Sequence, residues 1–149
     1  MKWSLRSFDQ LTLDQLYAIL ALRTDVFVVE QTCPYPEIDG KDQSSYHLFA
    51  EEAGEIIAYL RILPAGLSYE EASIGRVVIR ASHRGRGLSR TMMQEAIDYI
   101  VRELQECQIK IGAQAHLENF YQSLGFEPVS EVYLEDGIPH VDMLYVKPA

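Results

Sequence analysis

Hydrophobic residues change their spacing several times along the chain, and each change predicts a new helix or strand. Residues 3–8 alternate between apolar and polar positions, as expected for a first strand. Thr12-Leu13-Asp14-Gln15 has the form of a capping box, so a helix should begin at Leu13, and its apolar stripe continues to about Val29. Residues 31–45 contain two prolines and a glycine without either period and predict an ordered loop.

The rest of the chain combines strands with two helices. Strands are predicted over residues 46–52, 56–63, 72–79, 109–113, 129–134 and 140–146. Apolar side chains from Leu88 to Leu104 fall on one helical face and predict a long helix, and residues 117–124 predict a short helix that ends at Gly125. This order of elements favours a mixed α/β sheet over repeated βαβ units.

Composition narrows the class of protein. A length of 149 residues and a hydrophobic fraction of 48% are typical of one globular domain, so residues 1–149 are predicted to form a single domain. No apolar run reaches the ~20 residues of a membrane span, and no secretory signal is visible, which predicts a cytoplasmic protein without membrane association. The two cysteines form no CxxC pair and the four histidines lack metal-ligand spacing, so no metal is expected.

Charge is distributed unevenly along the chain. The net charge of -9 opposes a nucleic-acid partner, because phosphate contacts need a basic face. Residues 72–94 nevertheless contain five arginines and no carboxylate. A small anionic ligand is therefore the expected partner of this segment.

The arginines of this segment surround a glycine-rich turn between a predicted strand and the long helix. A helix N-terminus leaves N–H groups unpaired, glycines let the backbone approach an anion closely, and arginines add forked donors. The turn is therefore suited to a pyrophosphate. From spacing alone, a solvated turn and an RGRG segment of a nucleic-acid-binding protein stay open as alternatives, whereas the GxGxxG fingerprint is absent.

The turn Arg84-Gly85-Arg86-Gly87-Leu88-Ser89 resembles the R/Q-x-x-G-x-G/A motif of the GNAT N-acetyltransferases, with Ser89 in the last small-residue position. In that family the motif lies between the fourth strand and the third helix and binds the pyrophosphate of CoA. The resemblance implies that this turn, with Arg90 behind it, does the same. It also implies that the pantetheine arm pairs with the backbone of Val77, Val78 and Ile79.

A second segment, residues 114–126, is similar to the family pattern N-x-x-A-x-x-x-Y-x-x-x-G-F. Gln114 replaces the asparagine and Leu117 the alanine, while Tyr121, Gly125 and Phe126 keep their places. The resemblance implies that Gln114 contacts CoA and that Tyr121 is a hydrogen-bond donor or general acid for the CoA thiolate. Because the reference pKa of tyrosine, about 10, exceeds that of a thiol, about 8.5, the donor role is favoured. An aromatic side chain that only packs is the alternative.

Nearly the whole chain is similar to the ElaA-like branch of this superfamily, through residues 23–35, three acidic positions after them, and residues 135–140. The resemblance implies the GNAT fold, an α/β (α+β) architecture with a central mixed, mostly antiparallel twisted sheet of about six to seven strands and about four flanking helices. It also implies an acetyl-CoA-dependent N-acetyltransferase. The acceptor would be a primary amine, in a small molecule or a peptide, that attacks the thioester directly.

Such a reaction needs a neutral amine, because a lysine-like amine with a pKa of about 10.4 is almost fully protonated at pH 7. The candidate general bases are Glu30, His47, Glu131 and His140. An N–H group near Val78 is the candidate donor to the tetrahedral oxyanion.

The loop after the first helix carries three further acidic residues. Glu37, Asp39 and Asp42 could attract a cationic amine, although solvated loop carboxylates are the favoured interpretation. Arg23 and Arg76 lie in segments of buried character and are predicted to form internal ion pairs.

Several other functions stay open. A catalytically idle CoA-binding or regulatory module would use the same scaffold. An acyl-homoserine-lactone-synthase-like enzyme is a third alternative, since residues 23–30 resemble those proteins, although their greater length disfavours it. A small nucleic-acid-binding protein is opposed by the net charge. Exposed strands at the sheet ends could pair across a homodimer.

Overall fold

Eight strands and three α-helices make up the fold in a computed structural model that describes residues 1–149. The strands are β1 Lys2–Ser7, β2 Tyr46–Glu52, β3 Glu55–Leu63, β4 Ser73–Ile79, β5 Gln108–Gln114, β6 Phe126–Pro128, β7 Tyr133–Glu135 and β8 Ile138–Val146. The α-helices are α1 Leu13–Arg23, α2 Leu88–Arg102 and α3 Glu118–Ser123. The α+β class is confirmed, with more strands and fewer α-helices than the sequence indicated.

The strands form two sheets that meet at one edge. The first sheet has the antiparallel order β1-β2-β3-β4, and the second has the order β5-β8-β6 with β7 also paired to β8. A parallel bridge between Ala72 and Ile109 joins the sheets, and the Lys110 N–H donates to the Ala72 carbonyl at 2.9 Å. This single parallel contact makes the combined sheet mixed and otherwise antiparallel.

Helix α1 begins where the capping box predicts. The Gln15 N–H donates to Thr12 Oγ1 at 3.0 Å, and the Thr12 N–H donates to Gln15 Oε1 at 2.9 Å. These bonds satisfy two donors that a helix N-terminus leaves unpaired. Helix α1 continues directly into a π-helical segment over Thr24–Glu30. The apolar stripe predicted to about Val29 therefore spans two helix types.

The first sheet is covered on both faces. Phe49 and Tyr59 belong to a buried cluster with Ile19 and Leu22 of α1. Their strand neighbours Leu48 and Leu60 belong to a second, larger cluster, which also includes these buried residues of α2: Met92, Met93, Ala96, Ile97 and Ile100. Because successive strand residues point to opposite faces, α1 and α2 pack on opposite sides of the sheet.

The predicted closing pair of strands is present as β7 and β8, but its first strand is shorter than the sequence predicts. The chain over residues 129–134 does not form a single strand, because β6 ends at Pro128 and β7 begins only at Tyr133. Between them, Ser130 Oγ accepts the Asp142 N–H at 2.9 Å, in place of a backbone carbonyl. The exposed side chains of Val129 and Val132 contribute no apolar face that would hold this segment against β8.

Membrane-spanning helices are absent from the fold, since no helix is both long enough and apolar enough to cross a bilayer.

Candidate active site

A cleft opens where the two sheets separate. Strands β4 and β5 are joined at the Ala72–Ile109 bridge and diverge toward Ile79 and Gln114, because no ladder continues between them. The resulting cleft has a volume of about 820 Å³ and is lined by both strands, by the end of the π-helical segment and by the β7–β8 turn. Clefts of this kind are the usual place for a bound substrate.

Strand β4 is irregular where it borders the cleft. Tyr59 pairs with Val78 but Arg61 pairs with Gly75, so β4 contains one extra residue at this point. Arg76, within this bulge, has a φ of 52°, in the left-handed region that non-glycine residues seldom occupy. Bulges redirect side chains next to functional sites, and here the bulge sets the direction of the Arg76 side chain.

The glycine-rich turn at the start of α2 has the conformation that the sequence predicts. Gly85 and Gly87 have φ values of 80° and 74°, and Gly87 is the N-terminal cap of the helix. Arg84 is fixed by a hydrogen bond from its Nε to the Ile79 carbonyl at 3.0 Å and by an ion pair with Glu30 at 2.8 Å. Open space faces both glycines, so the free N–H groups of the first helical turn can donate hydrogen bonds to an anion.

The residues implied to bind CoA fall into three groups in the structure. Those lining the main cleft are Val77, Val78, Ile79, Arg84, Ser89 and Gln114. A smaller depression of about 170 Å³ at the start of α2 is lined by Gly85, Gly87, Leu88 and Arg90, with Ile79, Arg84 and Ser89 shared between the two. Arg86 is exposed beside the turn and lines neither space.

Tyr121 lies at the floor of the cleft. Its side chain contacts Phe120 and Phe126 edge-on, with ring centroids 5.2 Å and 6.0 Å away, and the residue is 8% exposed. Burial raises the pKa of Tyr121 to about 12. Tyr121 is therefore protonated at neutral pH. Its hydroxyl makes no hydrogen bond to the protein, and the residue lines the cleft, so the hydroxyl is free to donate to a ligand.

Two of the four candidate bases lie in the cleft. His140 Nδ1 is 2.7 Å from the Ile138 carbonyl, which can only accept, so Nδ1 is the donor and, in the neutral ring, Nε2 carries the lone pair. His140 Nε2 is 3.5 Å from a carboxylate oxygen of Glu135. Glu30 also lines the cleft, but its carboxylate is paired with Arg84.

The other two candidate bases lie elsewhere. His47 is buried, with Nδ1 2.6 Å from the Tyr59 hydroxyl and Nε2 2.9 Å from the Asp42 carbonyl, and burial lowers its pKa. Glu131 is exposed, and neither residue is part of the cleft lining.

The acidic loop after the π-helical segment differs from the sequence interpretation. Glu37 and Asp42 are buried rather than solvated, and Arg23 lies between them with no exposed surface. Arg23 Nε is 2.6 Å from Glu37, and Arg23 Nη1 is 2.8 Å from Asp42. The predicted internal ion pairing of Arg23 is confirmed, and its partners are the carboxylates that the favoured interpretation assigned to solvent.

Two further arginines close these contacts into a ring. Arg76 pairs with Glu37 at 2.7 Å and with Asp39 at 3.4 Å, and Arg61 pairs with Asp39. Arg61 Nη1 also reaches Asp42 at 3.0 Å. The ion ring therefore alternates cation and anion in the order Arg23, Glu37, Arg76, Asp39, Arg61 and Asp42.

The ring controls the ionisation of its carboxyl groups. Burial by itself raises the pKa of Asp42, but hydrogen bonds and charge contacts from Arg23 and Arg61 outweigh burial and hold this pKa below its usual value. The same balance with Arg61 and Arg76 depresses the pKa of Asp39. Both carboxylates are charged at neutral pH and fix the loop against β3 and β4.

Several cleft residues were not singled out by the sequence. Arg61, Lys41, Ser68 and Tyr69 line the cleft near the beginning of β4, and Cys33 lines it beside the β7–β8 turn. The signal for Arg61 was a lone arginine inside the apolar run of β3. The others lie in loops without a pattern, so only the fold brings them together.

A mixed sheet that opens between its fourth and fifth strands, beside a glycine-rich helix start, defines the GNAT class of acyltransferases. Residues 17–147 match the family described as the acetyltransferase (GNAT) domain, and the chain belongs to this family.

The chain has relatives that it matches over nearly its whole length. It is 43% identical to protein ElaA of Escherichia coli (strain K12) over 145 residues, which cover 96% of this chain and 95% of ElaA. The crystal structure of E. coli ElaA superposes with a TM-score of 0.91, at 42% identity and with coverage of 97% and 98% of the two chains. An acyl-CoA N-acyltransferase from Pseudomonas aeruginosa superposes with a TM-score of 0.92, at 42% identity and with coverage of 98% and 100%.

A more distant structure shares only the fold. A CoA-dependent acyl-homoserine lactone synthase superposes with a TM-score of 0.79 at 17% identity, covering 97% of this chain and 82% of the synthase.

Proposed function

We propose that this protein is an acetyl-CoA-dependent N-acetyltransferase that transfers the acetyl group to a primary amine by direct attack on the thioester. The observation that carries the proposal is the continuous cleft that leads from the glycine-rich turn at α2, along β4, to the side chain of Tyr121. Along the cleft lie, in this order, an anion site for the diphosphate of CoA, a free strand edge for its pantetheine arm and a protonated donor for its thiolate.

The turn supplies the contacts for the diphosphate of CoA. The first N–H groups of α2 carry the positive end of the helix dipole, and the left-handed glycines keep side chains away from them. Arg86 is exposed beside this turn, and Arg90 is held over Phe120, with Nη2 donating to Ser123 Oγ at 2.9 Å. The edge of β4 that has no partner strand offers Val77, Val78 and Ile79 to the pantetheine amides.

Tyr121 is suited to donate a hydrogen bond to the leaving thiolate. With its pKa raised to about 12, full proton transfer to the thiolate, whose thiol has a pKa of about 8.5, would be uphill by roughly 5 kcal/mol. A hydrogen bond to the developing sulfur charge needs no such transfer and is stronger than one between neutral groups. Tyr121 therefore stabilises the thiolate without becoming a tyrosinate.

His140 is the base that fits the cleft best. Its Nε2 lone pair is available because Nδ1 donates to the Ile138 carbonyl, and Glu135 stands 3.5 Å away to stabilise the imidazolium that forms. Glu30 is less suited, since Arg84 contacts both of its carboxylate oxygens. His140 thus takes the proton from the attacking ammonium or amine.

Binding of CoA species should be visible in the melting temperature. Ligand at about 100 times its dissociation constant adds about 2.7 kcal/mol, which for a chain of this size raises Tm by several degrees. Acetyl-CoA and CoA should both produce this shift, whereas a duplex oligonucleotide should not. S-acetyl-pantetheine, which lacks the diphosphate, should shift Tm much less because it cannot use the turn. An unchanged Tm at saturating acetyl-CoA would overturn the proposal.

Turnover separates an enzyme from a protein that only binds CoA. Thiol release from acetyl-CoA, followed across a panel of primary amines and short peptides, should rise above the rate without amine. A shift of Tm with acetyl-CoA but no thiol release from any amine would instead assign the protein as a CoA-binding module.

Replacement of His140 tests the base. H140Q should lower kcat/KM at pH 7 by about 100-fold, a typical contribution of general-base catalysis. The E131Q variant, altered at an exposed position outside the cleft, should keep the wild-type kcat/KM. A wild-type kcat/KM in H140Q would assign the proton transfer to another group.

A further inference from the structure

The part of the cleft near the beginning of β4 has unused cationic donors. Within the ion ring, three arginines are matched by three carboxylates, so the ring itself is neutral. Lys41 is attached to this ring through its backbone, whose N–H donates to Asp39 at 3.1 Å. Its ammonium group has no carboxylate within ion-pair distance and donates only to Ser68 Oγ at 2.8 Å. One positive charge is therefore uncompensated here.

Two arginines of the ring also retain free N–H groups. Arg76 uses Nε and Nη2 for Glu37 and Asp39, but Nη1 makes no hydrogen bond, and its side chain is 21% exposed in the cleft lining. Arg61 is 3% exposed, and its Nε is buried without any partner. A donor buried to this extent cannot reach a ligand in the cleft, so the donors left for a ligand are Arg76 Nη1 and the Lys41 ammonium group.

The geometry points to a carboxylate-binding subsite formed by Arg76 and Lys41, with Arg61 behind them, and thus to an acceptor amine that itself carries a carboxylate, such as an amino acid. This assignment rests on the proposed function and adds the chemical class of the acceptor. Arginine favours carboxylates because its planar donors match both oxygens, and ion pairs with Glu37 and Asp39 fix the Arg76 guanidinium in the cleft lining.

The position of Arg76 along β4 fits an amine close to the carboxylate. Arg76 precedes Val78 by two residues, which is at most about 7 Å of strand and less where the bulge bends β4. A carboxylate held at the guanidinium therefore keeps an amine only a few bonds away within reach of an acyl group lying along β4 near Val78.

The opposite wall complements the ammonium end of such a substrate. The carboxylates that line the cleft outside the ion ring are Glu30, Glu135 and Asp136, and Glu30 is already paired with Arg84. Glu135 is the last residue of β7 and lies 3.5 Å from His140, and Asp136 follows it in the β7–β8 turn. A zwitterion is matched at both ends, whereas a polyamine would place one of its positive charges against Lys41 and Arg76.

The test compares amines that differ only in the carboxylate. Each α-amino acid of a panel is assayed against its amide and its decarboxylated amine, by thiol release and by calorimetric titration of the CoA-loaded protein. At least one amino acid should bind and react, with a KM about tenfold or more below the KM of its amide and of its decarboxylated amine. The preference should shrink at high ionic strength.

Variants of the subsite residues test whether the preference for carboxylated amines comes from Lys41 and Arg76. K41Q should raise KM for the preferred amino acid by about three- to fivefold and leave KM for its decarboxylated amine and for acetyl-CoA unchanged. K2Q removes the same charge from an exposed position on β1 and should match the wild type. R76Q should raise the same KM by about tenfold or more; because it also breaks ring contacts, K41Q is the deciding variant.

Three results would overturn this assignment. Equal or better use of the uncarboxylated amines would do so, as would a K41Q protein that behaves like K2Q. The third is the absence of amino-acid binding to a protein that does bind CoA. Failure to bind acetyl-CoA at all would instead contradict the proposed function, and the Tm measurement distinguishes the two cases.

Discussion

Replacing Arg23 with glutamine is expected to destabilise the protein by about 3–5 kcal/mol, because removal of one partner leaves buried charges uncompensated. Arg23 has no exposed surface, and it donates to Glu37, to Asp42 and to the Glu37 carbonyl. For a chain of this length, such a loss should lower Tm by roughly 6–20 °C. Chemical denaturation and calorimetry measure both quantities.

The effect of R23Q should depend on pH in a defined direction. Asp42 has a depressed pKa, so its contribution to stability is present above about pH 4 and is lost as the pH falls below that value. The difference between wild type and R23Q should therefore shrink on acidification. R102Q is the matched control, since Arg102 pairs with Asp98 on the exposed face of α2 and should change stability by no more than about 0.5 kcal/mol. Equal stability of R23Q and R102Q would contradict a stabilising role of the ring.

The second large effect is expected for Y121F, which removes one hydroxyl and keeps the ring. Loss of a hydrogen bond to a charged atom costs about 1.5–3 kcal/mol, so kcat should fall by about 10- to 150-fold. KM for acetyl-CoA should change little, because the hydrogen bond forms as the thiolate leaves. Tm should also stay near the wild-type value, since the Tyr121 hydroxyl makes no hydrogen bond to the protein.

The pH profile adds a second measurement for Tyr121. A phenol whose pKa is raised to about 12 keeps its proton below that pH, so the wild-type rate should show no loss up to about pH 10 from ionisation of this residue. Y145F is the control, because Tyr145 packs on Phe126 in the same aromatic group but does not line the cleft. An unchanged kcat in Y121F would remove Tyr121 from the chemistry.

Elements with a strong hydrophobic period were predicted well from the sequence. The long helix was expected from Leu88 and occupies Leu88–Arg102, and the hairpin of β2 and β3 agrees within one residue. Both succeed because their periodic residues face a large core on a fixed side, so local pattern and tertiary packing agree. Only the last two residues of the strand predicted over residues 129–134 are in β7, because valines favour strands but Val129 and Val132 here contact solvent.

The ion ring could not be predicted from spacing. Its members come from α1, from the loop, from β3 and from β4, so the ring exists only once these four segments pack together. The general expectation that loop carboxylates are solvated is sound for a loop beside water. The expectation failed here because Arg23, Arg61 and Arg76 form ion pairs with the carboxylates of the loop. The placement of the turn at α2, in contrast, follows from local glycine and helix-start chemistry.

The ion ring also limits how this enzyme can change by mutation. Arg61 and Arg76 both line the cleft and hold the loop in place, so a substitution that alters what the cleft accepts also removes part of what keeps the chain folded. Stability and activity are coupled at the same two side chains, and natural proteins have little stability to spare. New acceptor preferences should therefore arise first at Lys41 or in the β7–β8 turn, or only in a background already made more thermostable.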